Sequence, residues 1–481
     1  MQSNQSVYKM KEKLLSLVLL MFLVSGIRAQ TGIGAKLQSA VNELLKDEQM
    51  KFATLGFYVM DAQTGEKVFS HNENTGLAPA STLKVVTSAA AYTFLGHDFR
   101  YPTVIGITGN LNASGIVEGN LVISGSGDPT LGSNRWHSTA APTLFPEWTA
   151  AMEAAGVRGF SNGAETILVG EGSTKYTFQE GWIWQDIGNY YGAMHAPFNW
   201  NENYFSVHFA PGDKVKDPVK VNRLDPGYTG LIVEPHELFT GPEKSGDNAF
   251  VYLNPEDASK MMVGGTVPLG EFDFGIRASH PHPAKFFAGY LKHSSGLYDF
   301  KFPEVKDFSI RKNLPEGFKK IYTHYSPPLD SISYHFLRQS INLYGEALVK
   351  AIAFQKAGIA HTDTGLVYVK NLFYSNGVDR GALNIMDGSG LSPQNRVTAK
   401  SLTQVLAYAR KQSWFSSFYE GLPVINGMKM KSGSIYGARG YTGYHKSASG
   451  REYIFTIIVN NYSGSGSSIS RKMFSVLNVL N

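Results

Sequence analysis

The 481-residue sequence predicts a mixed α/β (α+β) fold in which helical segments near both ends of the chain enclose a long strand- and turn-rich middle. Three observations predict it. A helical pattern and a strand–turn–strand pattern follow one another between Gln30 and Ser70. Around Phe99 the pattern changes to short apolar runs broken by Gly, Pro and Asn. Helical periodicity returns near Pro283, and the chain closes on the β-rich run Tyr453–Val459 and a short helix from Arg471 to Leu480.

Taken in order, Lys9, Lys11 and Lys13 precede an apolar core from Leu14 to Val24, and Ala29 offers a small cleavage-site residue. That is the layout of a secretory signal over residues 1–29. The core is shorter than the ~20 residues of a spanning helix. No stable membrane anchor is expected after signal removal, and the protein is expected to be exported to the periplasm. The next elements are a helix from Gln30 to about Glu48, a strand Phe52–Met60, a turn Asp61–Gly65 and a return strand Glu66–Ser70. The run Ala78-Pro79-Ala80-Ser81-Thr82-Leu83-Lys84 opens an apolar stretch with no Gly or Pro until Gly96, so a helix is expected from about Ser81 to Leu95. Gly109–Asn112 and Ile116–Ile123 read as a hairpin, Pro146–Gly156 as a helix and Thr166–Val169 as a strand. The chain is again strand-like from Tyr204 to about Gly265. The loop Gly125–Leu131 is glycine-rich but lacks the Gly-Lys-Ser/Thr ending of a phosphate loop, which argues against nucleotide binding. Pro283–Tyr290 and a longer stretch, Tyr334–Leu348, read as helices.

Apolar residues make up 43% and charged residues 17%, the balance of a folded globular protein. No cysteine is present, which excludes disulfides, thiolate metal sites, a cysteine nucleophile and a lipidated N-terminal cysteine. The net charge of +5 is spread along the chain without a dense basic run. It suits anionic cell-wall polymers and is no nucleic-acid footprint.

The chemistry begins at Ser81 and Lys84. Residues three apart share a helix face, so one turn supplies a nucleophile and a base. The helix start also leaves unpaired N–H groups near Ser81 that could hold an oxyanion. Ser-x-x-Lys recurs at Ser6/Lys9 and Ser309/Lys312, but only Ser81 opens a long apolar helix. Further on come Ser340-Ile341-Asn342 and Lys431-Ser432-Gly433, in that order after Ser81. Alone, each has an ordinary reading: a capped buried helix, a solvent-facing polar pair, a turn. Their joint order points to acyl transfer. Lys84 can act as a base only when neutral, and burial and the like charge of Lys431 both favour that form. Ser340 can pass a proton to the departing amine, Asn342 can hold a substrate amide, and Lys431 can bind a terminal carboxylate. Gly433 would let an extended substrate lie against its strand as an added β-strand.

The ordered set matches the Ser-x-x-Lys, Ser-x-Asn and Lys-Thr/Ser-Gly motifs of penicillin-recognising serine enzymes. With Pro79–Thr82, Gly127–Leu131, Gly181–Trp184, Phe198-Asn199-Trp200-Asn201-Glu202-Asn203 and Asp387-Gly388-Ser389-Gly390-Leu391-Ser392, the chain resembles the D-alanyl-D-alanine carboxypeptidase/endopeptidases among the low-molecular-mass class C penicillin-binding proteins. The resemblance implies a penicillin-binding-protein/β-lactamase-like transpeptidase domain, an antiparallel sheet flanked by helices, formed from residues 30–97 and 280–481. It implies an insertion at 98–279 that carries a smaller nested domain at roughly 205–265. It implies a serine acyl-enzyme on Ser81, with Ser340, Asn342 and Lys431 completing the catalytic set and the backbone amides of Ser81 and Ser434 forming the oxyanion hole. Ser432, Gly433, Ser434 and Leu391 would line the substrate. Asp186 would bind the free amine of meso-diaminopimelate in the stem peptide, with Tyr191 as a wall; Asp128 is a competitor that suits a structural turn better. Peptidoglycan peptides are the implied substrates and β-lactams acylating inhibitors. No metal or cofactor is implied. Ser432 and Ile341 depart from the commoner residues but remove no required group.

Three rivals are weaker. A class A β-lactamase needs a deacylating glutamate, and Glu234-Pro235-His236-Glu237-Leu238 precedes Ser340 where that loop should follow it. A penicillin sensor would need spanning helices and a cytoplasmic effector. His280-Pro281-His282 has prolines on both sides of His282 and no nearby carboxylate cluster, so it reads as a loop.

Overall fold

The computed structural model describes residues 32–170, 179–257, 259–294 and 296–481. The expected leader, residues 1–29, lies outside them.

The centre of the molecule is a six-stranded antiparallel sheet that joins the two ends of the chain. Its order is Val424–Ile425, Met428–Ile435, Ala438–Lys446, Glu452–Asn460, Thr54–Asp61, Lys67–His71. The early strand pairs with the late one from Thr54↔Asn460 to Asp61↔Tyr453. The strand period of two then separates the faces. Phe57, Val59, Phe455 and Ile457 pack with Leu37, Val41, Met473 and Leu477 under two helices, over residues 32–45 and Gly466–Leu477. Ile454 and Ile458 face the other way, into a core with Val85, Ala89, Leu348, Leu402 and Leu406. That core includes the helix Lys84–Leu95, whose first nine residues are all buried. A helix apolar on every face belongs inside a domain.

Two expected helices take a different form. The Ser81 segment opens as a 3₁₀ turn, Ala80–Leu83, and becomes an α-helix at Lys84. The single helix expected over Tyr334–Leu348 is two, Leu329–Gln339 and Asn342–Ala357. Ser340 lies between them in the left-handed region, at φ 62° and ψ 37°. Nothing in the helix-forming pattern signals that break.

The chain between these parts builds, among the described residues, a four-stranded sheet, in the order Lys319–Tyr325, Pro102–Ile107, Leu121–Gly125, Thr166–Gly170, and three three-stranded sheets. One of the latter is formed by Ile232–Gly241, Lys260–Pro268 and Asn248–Leu253. The strand holding Glu234 and Glu237 is thus part of that small sheet. A second large core runs from Ile105 to Val305. It extends past residue 279, where the sequence placed the end of the insertion, because the helix Pro283–Ser294 buries Phe286, Phe287 and Tyr290 against it and Lys319–Tyr325 pairs with Pro102–Ile107.

Candidate active site

Ser81 stands at a turn held from several directions. Ala80 before it has a left-handed φ of 48°. The Thr82 hydroxyl donates to Pro79 O at 2.7 Å. The Asn460 side chain accepts from Ala78 N at 2.7 Å and donates to Ala78 O at 3.1 Å, tying the turn to the end of a central strand. In a 3₁₀ turn residues i and i+3 eclipse, so Lys84 sits directly over Ser81.

Lys84 is fully buried. Its Nζ lies 2.9 Å from Ser81 Oγ, 2.6 Å from Asn342 Oδ1 and 2.7 Å from Ser389 O. This set has a clear reading in proton terms. A protonated amine donates to all three. A neutral amine has two N–H groups, which satisfy the two carbonyl oxygens, and one lone pair left for the Ser81 hydroxyl proton. Burial, then the neighbouring charge of Lys431, holds the Lys84 pKa well below the usual lysine range; Asp387 and Glu346 oppose the shift. The environment therefore favours the form that can act as base.

Lys431 is also buried, which pushes its pKa down to about 7, and its Nζ donates to Ser432 O at 2.9 Å. Its strand, Met428–Ile435, is paired on one side from Lys429 to Ile435, Lys431 opposite Thr442 and Ser434 opposite Arg439. On the other side the pairing covers only Met428 and Lys429. From Lys431 to Ile435 that edge is open, and Ser434 is exposed on it. Gly433 has a structural reason beyond the substrate: a Cβ there would lie 2.5 Å from Pro79 O and 2.9 Å from Ser81 N. The strand is pressed against the nucleophile turn at that point.

The Ser340 kink lies just before the helix that carries Asn342. Asn342 Nδ2 donates to Tyr191 O at 2.7 Å. Tyr191 belongs to the segment that carries Asp186, in the short helix Trp184–Ile187. Burial raises Asp186 to about 6, and its hydrogen bond with the Tyr191 side chain pulls the other way. Asp128, by contrast, is buried and accepts from the Thr130 N–H at 2.8 Å and the Thr130 hydroxyl at 2.7 Å, as a turn residue does. The Ser309 hydroxyl bonds to Asp307 at 2.7 Å, far from any such cluster. His280 Nε2 donates to Thr229 O at 2.9 Å, and its ring stacks on Phe286.

Several contributors lie outside the three ordered motifs. Ser389 contributes a backbone carbonyl. Its loop is clamped by buried Asp387, which accepts from Gly390 N at 2.7 Å, Ser392 N at 2.6 Å, Asn395 Nδ2 at 3.0 Å and Trp182 Nε1 at 2.9 Å. Glu346 receives Gly388 N at 3.1 Å. Leu391 is buried in this loop. The Asp387–Ser392 and Gly181–Trp184 stretches were a signal for Asp387, Ser389, Leu391 and Trp182, and for Glu346 the signal was the spacing Asn342, Glu346, Lys350, every fourth residue on one helix face.

A family model described as D-Ala-D-Ala carboxypeptidase 3 (S13) family matches residues 37–478. The chain belongs to that family. It is 26% identical over 471 residues to a D-alanyl-D-alanine carboxypeptidase of Actinomadura sp. (strain R39), covering 89% of this chain and 82% of the relative. It is 22% identical over 435 residues to the D-alanyl-D-alanine carboxypeptidase DacB of Haemophilus influenzae, covering 85% and 86%. The crystal structure of penicillin binding protein 4 (dacB) from Haemophilus influenzae superposes with a TM-score of 0.76 at 21% identity, over 91% of this chain and 98% of that one. The fold is thus the penicillin-binding-protein fold with inserted domains, and the S13 enzyme described here is a serine-type D-Ala-D-Ala carboxypeptidase. No helix among the described residues is long and apolar enough to cross a membrane.

Proposed function

We propose that this S13 enzyme cleaves peptidoglycan stem peptides through an ester on Ser81. The observation that carries this reading is the buried Lys84 amine, 2.9 Å from Ser81 Oγ and held by two other oxygens. Ser81 Oγ attacks the carbonyl between the terminal D-alanines while Lys84 takes its proton. The negative charge that develops is held by the amides of Ser81 and Ser434, each such donor worth about 3 kcal/mol. Ser340 relays a proton to the departing amine, free D-alanine leaves, and water then hydrolyses the ester. Lys431 meets the terminal carboxylate, whose charge draws the lysine to its protonated form. The open strand edge from Lys431 to Ile435 receives the peptide backbone. Asp186, beside Tyr191, binds the free side-chain amine of the stem peptide.

The same site accepts a cross-linked peptide if the second strand can leave past Asp186, which gives endopeptidase activity. The structure of the Haemophilus influenzae protein complexed with a β-lactam supports β-lactams as acylating inhibitors here. The lysine-rich start and apolar core before Ala29 support export to the periplasm. Incubation with cross-linked and uncross-linked muropeptides, with products identified by mass, tests the reading. Loss of one D-alanine from the uncross-linked peptide is expected, with monomers from the dimer. Absence of both products would overturn it.

A further inference from the structure

The motif Phe198–Asn203 has no place in the chemistry above, yet it carries a buried carboxylate aimed at the Ser340 segment. Asn201, Glu202 and Asn203 are three successive left-handed residues, at φ 50°, 52° and 52°. Asparagine tolerates that conformation; glutamate does so rarely. Side-chain bonds hold the turn: Asn203 Oδ1 accepts Trp200 N at 3.1 Å, and Asn203 Nδ2 donates to Met194 O at 2.9 Å. The result places Glu202, only 3% exposed, in the gap between the insertion and the helix Asn342–Ala357. A single oxygen, Oε1, accepts the Ser133 hydroxyl at 2.5 Å, Arg135 Nε at 2.6 Å and the Tyr344 hydroxyl at 2.9 Å.

Two of these partners reach the Ser340-Ile341-Asn342 motif from opposite sides. Arg135 donates onward through Nη1 to Gln339 Oε1, the residue immediately before Ser340. Tyr344 lies two residues after Asn342, on the first turn of its helix. Between the two anchors sits the left-handed kink of Ser340. A non-glycine residue in that region persists only where its surroundings hold it. Among the described residues no protein group hydrogen-bonds the Ser340 hydroxyl, so its position depends on the backbone alone.

We propose that Glu202 is a positioning residue for Ser340: through Arg135–Gln339 on one side and Tyr344 on the other, it brackets the motif and keeps the kink that aims the Ser340 hydroxyl at the leaving group. The insertion is thereby part of the catalytic machinery as well as a substrate wall. This rests on the proton-relay role given to Ser340 above.

The test uses the whole protein, a D-Ala-D-Ala peptide, and active sites counted by penicillin titration. Gln339 is exposed, so Gln339→Ala cuts one arm without disturbing a core. Glu202→Gln weakens both arms at their centre. Both variants are expected to lose kcat about tenfold, with KM within about twofold, because a catalytic group displaced by about 1 Å can cost up to about 100-fold in the chemical step. The double variant should fall no further than Glu202→Gln, since both cut the same connection. Wild-type kcat in Gln339→Ala overturns the proposal, and if Glu202→Gln does not fold, Gln339→Ala decides alone. An additive double variant, or a loss confined to KM, overturns it too. Ser340→Ala separates the two layers: if it is harmless, the relay role fails; if it is crippled while Gln339→Ala is not, only the positioning fails.

Discussion

Asn342 Oδ1 lies 2.6 Å from Lys84 Nζ, so the asparagine of the Ser-x-Asn motif holds the lysine of the Ser-x-x-Lys motif. The other end of the same amide donates to Tyr191 O at 2.7 Å. One side chain therefore spans from the proton acceptor to the segment carrying Asp186. With its oxygen committed to Lys84, Asn342 helps keep the lone pair of a neutral Lys84 turned to Ser81.

Ser81 is expected to be the single site of acylation. Intact-mass measurement after penicillin treatment should show one adduct, mapping to the Ser81 peptide. An adduct that survives Ser81→Ala sends the assignment elsewhere.

The two lysines should fail differently. Lys84→Ala removes the base and should block acylation by every donor. Lys431→Ala should hurt most where a free terminal carboxylate is bound. Acylation rates on a carboxylate-free donor check this, and equal losses there would refute the division of labour.

Substrate choice should follow the charge of Asp186. At pH 8 the wild type is expected to prefer a D-Ala-D-Ala peptide with a free side-chain amine over its acetylated twin by roughly tenfold, equivalent to about 1.4 kcal/mol. The Asp186 carboxyl titrates near 6. A carboxylate is charged above its pKa, so the preference should be present above that pH and fade as pH falls through it. Asp186→Ala should lack the preference at every pH while still reacting with penicillin. A pH-independent preference in the wild type would count against Asp186.

Backbone spacing under the nucleophile should tolerate no added methyl. At Gly390 φ is 84° and a Cβ would lie 2.0 Å from Ala80 O. Gly390→Ala should lower the melting temperature, by at least about 1 kcal/mol of stability, and slow acylation. Gly433→Ala should slow acylation more than it destabilises, because its Cβ would press on Pro79 O and Ser81 N at the cleft. Gly437→Ala, with φ 68° but open space around the added Cβ, is the control and should leave acylation near wild type. Thermal melts paired with penicillin acylation rates measure all three.

Composition, local pattern and motif order were enough to read the mixed α/β class, the strands Thr54–Asp61 and Glu452–Asn460 to within two residues, and the pairing of Ser81 with Lys84. Those features reside in neighbouring residues: strand alternation, an uninterrupted apolar helix, a serine one turn from a lysine. The break at Ser340 was not legible, because apolar residues recur at helical spacing on both sides of it and no residue there requires a left-handed φ. The partners of Lys84 show the same division. Ser81 is three residues away and could be read; Asn342 and Ser389 are 258 and 305 residues away, and Ser389 acts through a carbonyl that every residue possesses. Only the packing of the Asp387–Ser392 loop between the nucleophile helix and Asn342–Ala357 decides which carbonyl that is, and with it which way the lone pair of a neutral Lys84 points.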